Sequence, residues 1–214
     1  MRVVHVASEN APPRSHLKQV RILLWLLVAL AIAGAAALFL IPKKSPPMGS
    51  VTSVTAKDFG GPFTLTGGDG QPFSSASLAG RPYAIYFGFT RCGDVCPTTL
   101  GRLVKLRGQA GGEKAINIVF VTIDPTNDGP KEVGQYAGLF NSPIIGLTGS
   151  PEQIARVKKQ YGIFAQPSPH PMAGKEMEHT ATVLLFDREG KLASTIATDE
   201  PDSAALAKMK RLTV

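Results

Sequence analysis

Residues 22–41 read ILLWLLVALAIAGAAALFLI, twenty apolar residues in an unbroken run. A helix of that length extends about 30 Å, the hydrocarbon thickness of a bilayer. A helix on the core of a globular domain shows a polar face, and this run has none. A cleaved leader is the competing reading, because Ala35-Ala36-Ala37 offers small residues of the kind found at cleavage sites. The run is longer than the usual leader core of about 7–15 residues, and Leu38-Phe39-Leu40-Ile41 continues beyond that point. The expectation is an uncleaved anchor over 22–41 behind a short tail, 1–21. Arg2, Arg14, Lys18 and Arg21 precede the run against one acid, Glu9, while Lys43 and Lys44 follow it. That asymmetry places the N-terminus in the cytoplasm and the remainder outside. A single-pass protein of a bacterial inner membrane, facing the periplasm or exterior, is the simplest arrangement.

Residues 42–56 are rich in Pro, Ser, Gly and Lys and read as a tether to a domain over 57–214. Within it, 63–66 and 71–74 flank Gly67-Gly68-Asp69-Gly70, a hairpin signal. The runs 83–89 (YAIYFGF) and 115–124 (AINIVFVTID) are apolar without alternation, as expected of strands covered on both faces. Helical spacing follows at 97–109 and 131–140, with a short strand at 144–147 between the second of these and the next helix. Ser150-Pro151-Glu152-Gln153 opens that helix in a capping-box pattern. A strand over 180–186 turns into another over 192–198, and 203–212 is a last helix. Strands alternating with helices predict an α/β domain with a buried central sheet. The net charge is +7, but no block of Lys and Arg interleaved with aromatics supports nucleic-acid binding. Two cysteines in 214 residues exclude a disulfide scaffold, a four-thiolate zinc site and a four-cysteine cluster.

The chemistry concentrates in Phe87-Gly-Phe-Thr-Arg-Cys92-Gly-Asp-Val-Cys96-Pro97, at a strand-to-helix junction. Thiols four residues apart share one face of a helical turn and can converge on one atom. A helix N-terminus and Arg91 both favour the thiolate. Thiolates are soft ligands suited to Cu(I), and a third ligand would close such a site. His170 and His179 are the candidates beyond the anchor. His179 stands at a strand start, where it can reach the thiols. His170 sits in a proline-rich loop with Met172 and Met177 nearby as further soft donors. Other readings of the cysteine pair are a structural or redox-active disulfide, or a zinc site needing both histidines, which lacks the usual ligand spacing. No Gly-x-Ser-x-Gly turn points to a hydrolase. Neither cysteine has the Thr-x-x-Cys setting of a peroxidase.

With Gly88-Phe-Thr-Arg-Cys92-x-x-x-Cys96-Pro97, four ordered segments resemble the Sco/SenC family of membrane-anchored copper proteins. The others are Thr122-Ile-Asp124-Pro-x-x-Asp128-x-Pro130, Gly146-Leu-Thr-Gly-Ser-Pro-Glu152 with Tyr161-Gly162, and His179-Thr180 leading to Asp187-x-x-Gly190-Lys-Leu192. The resemblance spans about 59–196. It implies a thioredoxin-like domain and makes Cys92, Cys96 and His179 the copper ligands, for Cu(I), Cu(II) or both. Asp124 and Asp128 match the family's Asp-Pro-x-x-Asp segment. They are expected near the site, as supports, as partner contacts, or simply as turn residues. One departure is Glu178, where family members often carry Asp before the histidine. The function implied is delivery of copper to the CuA centre of cytochrome c oxidase, or upkeep of that centre. The partners would be the subunit carrying CuA or another cuproprotein, a copper donor, and a thiol reductant. The alternative is a thiol–disulfide oxidoreductase in which Cys92 attacks and Cys96 resolves.

Overall fold

The computed structural model describes residues 15–40 and 59–214; within the first stretch the described side chains are those of 19–32. The expected tail before 15 and the expected linker 42–56 lie outside the described residues. The two stretches belong to separate units and are taken separately.

In the first unit the backbone is helical over α1, Ser15–Leu40. The helix therefore begins inside the basic tail rather than at the apolar run. Its described side chains are all exposed, Trp25 among them. Among the described residues, no helix is long and apolar enough to cross a membrane.

The second unit is an α/β fold. Its strands are β1 (Thr64–Gly67), β2 (Pro72–Ser74), β3 (Tyr83–Gly88), β4 (Asn117–Thr122), β5 (Ile145–Thr148), β6 (Ala165–Pro167), β7 (Met177–His179), β8 (Val183–Phe186) and β9 (Leu192–Ile196). Its helices are α2 (Val95–Gln109), α3 (Pro130–Gly138), α4 (Pro151–Gln160) and α5 (Asp202–Thr213). Seven strands form one sheet in the order β2-β1-β5-β4-β3-β8-β9. The central pair β3 and β4 runs parallel from Tyr83↔Asn117 to Gly88↔Thr122, and β8 joins β3 antiparallel. Every residue of β3, β4 and β8 is buried, which explains why these runs carry no alternation. Phe120, Phe87, Leu100 and Leu103 fill the core between sheet and helices. The capping box forms as expected: Ser150 Oγ accepts from Gln153 N–H, and Gln153 Oε1 accepts from Ser150 N–H.

The closing strand is shorter than expected. β8 starts at Val183, and residues 177–179 form their own strand, β7, paired with β6 in a separate two-stranded sheet. The register is Ala165↔His179, Gln166↔Glu178 and Pro167↔Met177. Three-residue strands carry no readable period, and prolines in this stretch made it resemble a loop. His179 thus sits on a side hairpin, not at the start of a central strand.

Because Phe120 is fully buried at the middle of β4, Phe120→Ala should lower the unfolding free energy by about 3–5 kcal/mol in urea denaturation followed by circular dichroism.

Candidate metal centre

The parallel strands β3 and β4 end side by side, and the chain leaving β3 turns into α2. Cys92 lies in that turn and Cys96 in the first turn of α2. The N-cap residue Asp94 makes no side-chain cap bond. The sulfur of Cys92 takes that place, accepting the Cys96 N–H at 3.4 Å. Gly88 makes room behind the pair, since a Cβ there would stand 2.8 Å from Cys96 Sγ.

Both cysteines are free thiols, Cys92 partly exposed and Cys96 fully buried. The hydrogen bond from the Cys96 thiol, followed by the N–H groups of Asp94 and Cys96, lowers Cys92 to about 5 against the opposing effect of burial. The same bond and the buried setting push Cys96 up, so Cys96 is the proton holder of the pair. The Tyr86 hydroxyl, itself raised by burial, stays protonated and donates to Cys96 Sγ at 3.5 Å.

His179 reaches this pair from β7. Its Nδ1 lies 2.9 Å from the Thr180 carbonyl oxygen, which only accepts, so Nδ1 carries the proton. Nε2 is left with its lone pair 3.7 Å from Cys96 Sγ. Tyr86 and Phe89 frame the ring edge-on, with centroids 6.2 and 6.1 Å away. With metal–sulfur and metal–nitrogen bonds of about 2.3 and 2.0 Å, that sulfur–nitrogen spacing corresponds to an angle of about 120° at a shared ion. The donor set therefore fits a soft metal of low coordination number. Among the described residues, no three His, Cys, Asp or Glu side chains are gathered as a ready metal cluster. Cys96 adjoins both, His179 through its sulfur and Cys92 through its backbone N–H.

The two aspartates have different roles. Asp128 is fully buried. Its carboxylate accepts from Thr90 N–H at 2.9 Å, Thr90 Oγ1 at 2.5 Å and Thr122 Oγ1 at 2.7 Å. It ties the turn before Cys92 to the end of β4 without touching a sulfur. Asp124 accepts from Arg91 at 2.8 Å and from Asn127. It acts on the rim, where Arg91 is half exposed. The carboxylate of Glu178 is bound by the Gln166 amide at 3.2 Å. The sequence missed Tyr86, which reads as core, and the role of Gly174. The Gly174 carbonyl accepts from Gly93 N–H at 3.1 Å. Its φ of +80° and its contact with Gly93, 2.8 Å from where a Cβ would stand, both call for glycine. This contact lays the β6–β7 loop across the segment between the cysteines. A cleft of about 320 Å³ remains, lined among others by Phe89, Cys92, His170, Met172, Met177 and His179.

The family model described as SCO1/SenC matches residues 51–214. A solved structure of ScoI from Bradyrhizobium japonicum, with copper bound, is 35% identical and superposes with a TM-score of 0.64, covering 72% of this chain and 99% of that one. The mitochondrial SCO2 protein of Saccharomyces cerevisiae is 33% identical over 155 residues, 71% of this chain and 52% of the yeast protein. The chain thus spans about half the length of that relative. An SCO2-like protein of Rickettsia conorii is 31% identical over 177 residues, 78% of this chain and 84% of that protein. The solved Sco structures share the thioredoxin-like layout expected from the sequence.

Two outcomes follow from the site. Alkylation of Cys92 by iodoacetamide should hold a constant rate above about pH 6 and fall as the pH drops through about 5, with Cys96 unreactive in the folded chain; mass spectrometry of the modified peptides reads both. Asp128→Ala should lower the melting temperature and expose Cys96 to the reagent, whereas Asp124→Ala should leave Cys96 protected.

Proposed function

The chain belongs to the SCO1/SenC family, and we propose that it is a membrane-anchored copper metallochaperone. In this reading the apolar segment 22–41 crosses a bacterial inner membrane with the tail 1–21 in the cytoplasm. The linker 42–56 then carries the domain 57–214 on the periplasmic side. Copper is the cargo, taken from a donor and passed to the CuA-bearing subunit of cytochrome c oxidase or to another cuproprotein.

The observation that carries the reading is the lone pair of His179 Nε2 facing a buried thiol at 3.7 Å, with Nδ1 bonded to a carbonyl. A histidine held in that tautomer is prepared to bind a metal through Nε2. Cys92, already a thiolate at neutral pH, supplies the first anionic ligand. Cys96 supplies the second on giving up its proton to water. Handover replaces these bonds one at a time by bonds to the recipient's thiolates, so the ion is never free. Asp128 holds the turn in place through Thr90, and Arg91 with Asp124 offers a charged rim for a partner.

A second reading has its own observation, the asymmetry of the thiols. Partly exposed Cys92 would attack a partner disulfide, form a mixed disulfide and release one partner thiolate. Cys96 would then attack the Cys92 sulfur, freeing the second partner thiolate, and an external thiol reductant would reopen the Cys92–Cys96 disulfide.

Anaerobic Cu(I) titration of the reduced full chain in detergent separates the two. One tight equivalent is expected, lost in Cys92→Ser/Cys96→Ser and weakened in His179→Ala. Absence of tight binding, together with disulfide reduction that His179→Ala leaves unchanged, would establish the oxidoreductase instead.

A further inference from the structure

The cleft beside Cys92 and His179 carries three donors that the ligand set leaves unused. His170 and Met172 are exposed on the β6–β7 loop, Met172 at 62%, and Met177 is half-buried on β7. Met177 and His179 are two apart on one strand and so project to the same face. The loop is held in shape rather than hanging free. Ser168 N–H donates to the Glu176 carbonyl at 2.8 Å, Lys175 N–H to the Met172 carbonyl at 2.8 Å, and Gly93 N–H to Gly174 at 3.1 Å. Pro169 and Pro171 restrict the backbone on either side of His170. Met172 is exposed, Met177 and Cys92 are both partly buried, and Cys96 beyond the cleft is fully buried.

Thioether sulfur and imidazole nitrogen are soft ligands that suit Cu(I) and discriminate against hard divalent ions. A thioether has no proton to lose and forms no disulfide, so it binds whatever the redox state of the cysteines. Accepting the metallochaperone reading, we propose that His170, Met172 and Met177 form a second, weaker Cu(I) site that receives the ion before the cysteines do. Transfer inward is ligand exchange. Copper remains Cu(I), its bonds to thioether and imidazole break as bonds to the two cysteine sulfurs form, and the Cys96 proton leaves to water.

The test is anaerobic Cu(I) titration of the full chain in detergent, against a competing chelator, in the Cys92→Ser/Cys96→Ser background. One Cu(I) is expected, held more weakly than by the reduced wild type and lost on adding Met172→Leu, Met177→Leu and His170→Asn. Leucine preserves the packing of Met177, and circular dichroism checks the fold. Absence of Cu(I) in the serine background overturns the proposal, as does an ion that survives the triple substitution. Should the serine background not fold, the wild-type chain with its disulfide closed is titrated with Ag(I), which does not reduce disulfides, and read in the same way. The tight equivalent of the reduced wild type, measured on a separate sample, reports on the metallochaperone reading and not on the cleft.

Discussion

The buried carboxylate of Asp128 is the contact on which the site's geometry depends. Its oxygens collect the backbone and side chain of Thr90 and the hydroxyl of Thr122, and its own carbonyl accepts from Thr148 at 2.6 Å. One residue thereby ties together the exit of β3, the end of β4, the end of β5 and the approach to α3. A carboxylate without a countercharge in a core is tolerated only when donors surround it, and here three do. The same bonds fix the turn that delivers Cys92 to the N-terminus of α2. The sheet and the cysteine-bearing turn are therefore one construction, and loosening either loosens both.

From that turn follows the unequal pair of thiols. Cys92 sits where helix N–H groups converge, and Cys96 sits one turn on, against Tyr86 and the back of β3. One sulfur is a partly exposed anion and the other a buried proton store. The arrangement serves metal capture and disulfide chemistry equally well, which is why the cysteines cannot discriminate between them. In the metallochaperone reading the discriminating residue is His179: its free nitrogen faces the buried sulfur as a metal ligand would, whereas attack by Cys92 and resolution by Cys96 form and break their bonds at sulfur alone.

The sequence made the central strands legible because burial on both faces removes alternation, and β3 and β4 lie close to where 83–89 and 115–124 were expected. That the two cysteines act together was legible from their spacing, but whether as metal ligands or as a disulfide was not. The proposed third ligand was not legible either: His170 and His179 remained alternatives until the ordered motifs resembled a family. The physical reason is the β6–β7 hairpin. Its strands are three residues long and one ends in Pro167, so neither period nor propensity marks it. Asp128 was legible as a turn residue before Gly129-Pro130, and it does stand just before Gly129, the N-cap of α3. Its role as the buried hub depends on Thr90, 38 residues away, and no local pattern encodes that partnership.

On the proposed metallochaperone reading the chain must hold its cargo firmly and still release it, and the fold would divide these demands. Cys92 and Cys96, two of the proposed ligands, stand on the seven-stranded frame, fixed by Asp128 and the core beneath. His179, the proposed third, stands on a hairpin outside that sheet. Among the described residues, the loop of this hairpin meets the cysteine turn through one backbone hydrogen bond, from Gly93 to Gly174. Shifting a central strand would break a parallel ladder and open the core at a cost comparable to global stability. Shifting the hairpin would break far less, because its two strands pair only with each other. On that reading, ligand exchange at His179 would leave the dithiol platform in place, and the soft donors of the same loop would shift together with His179.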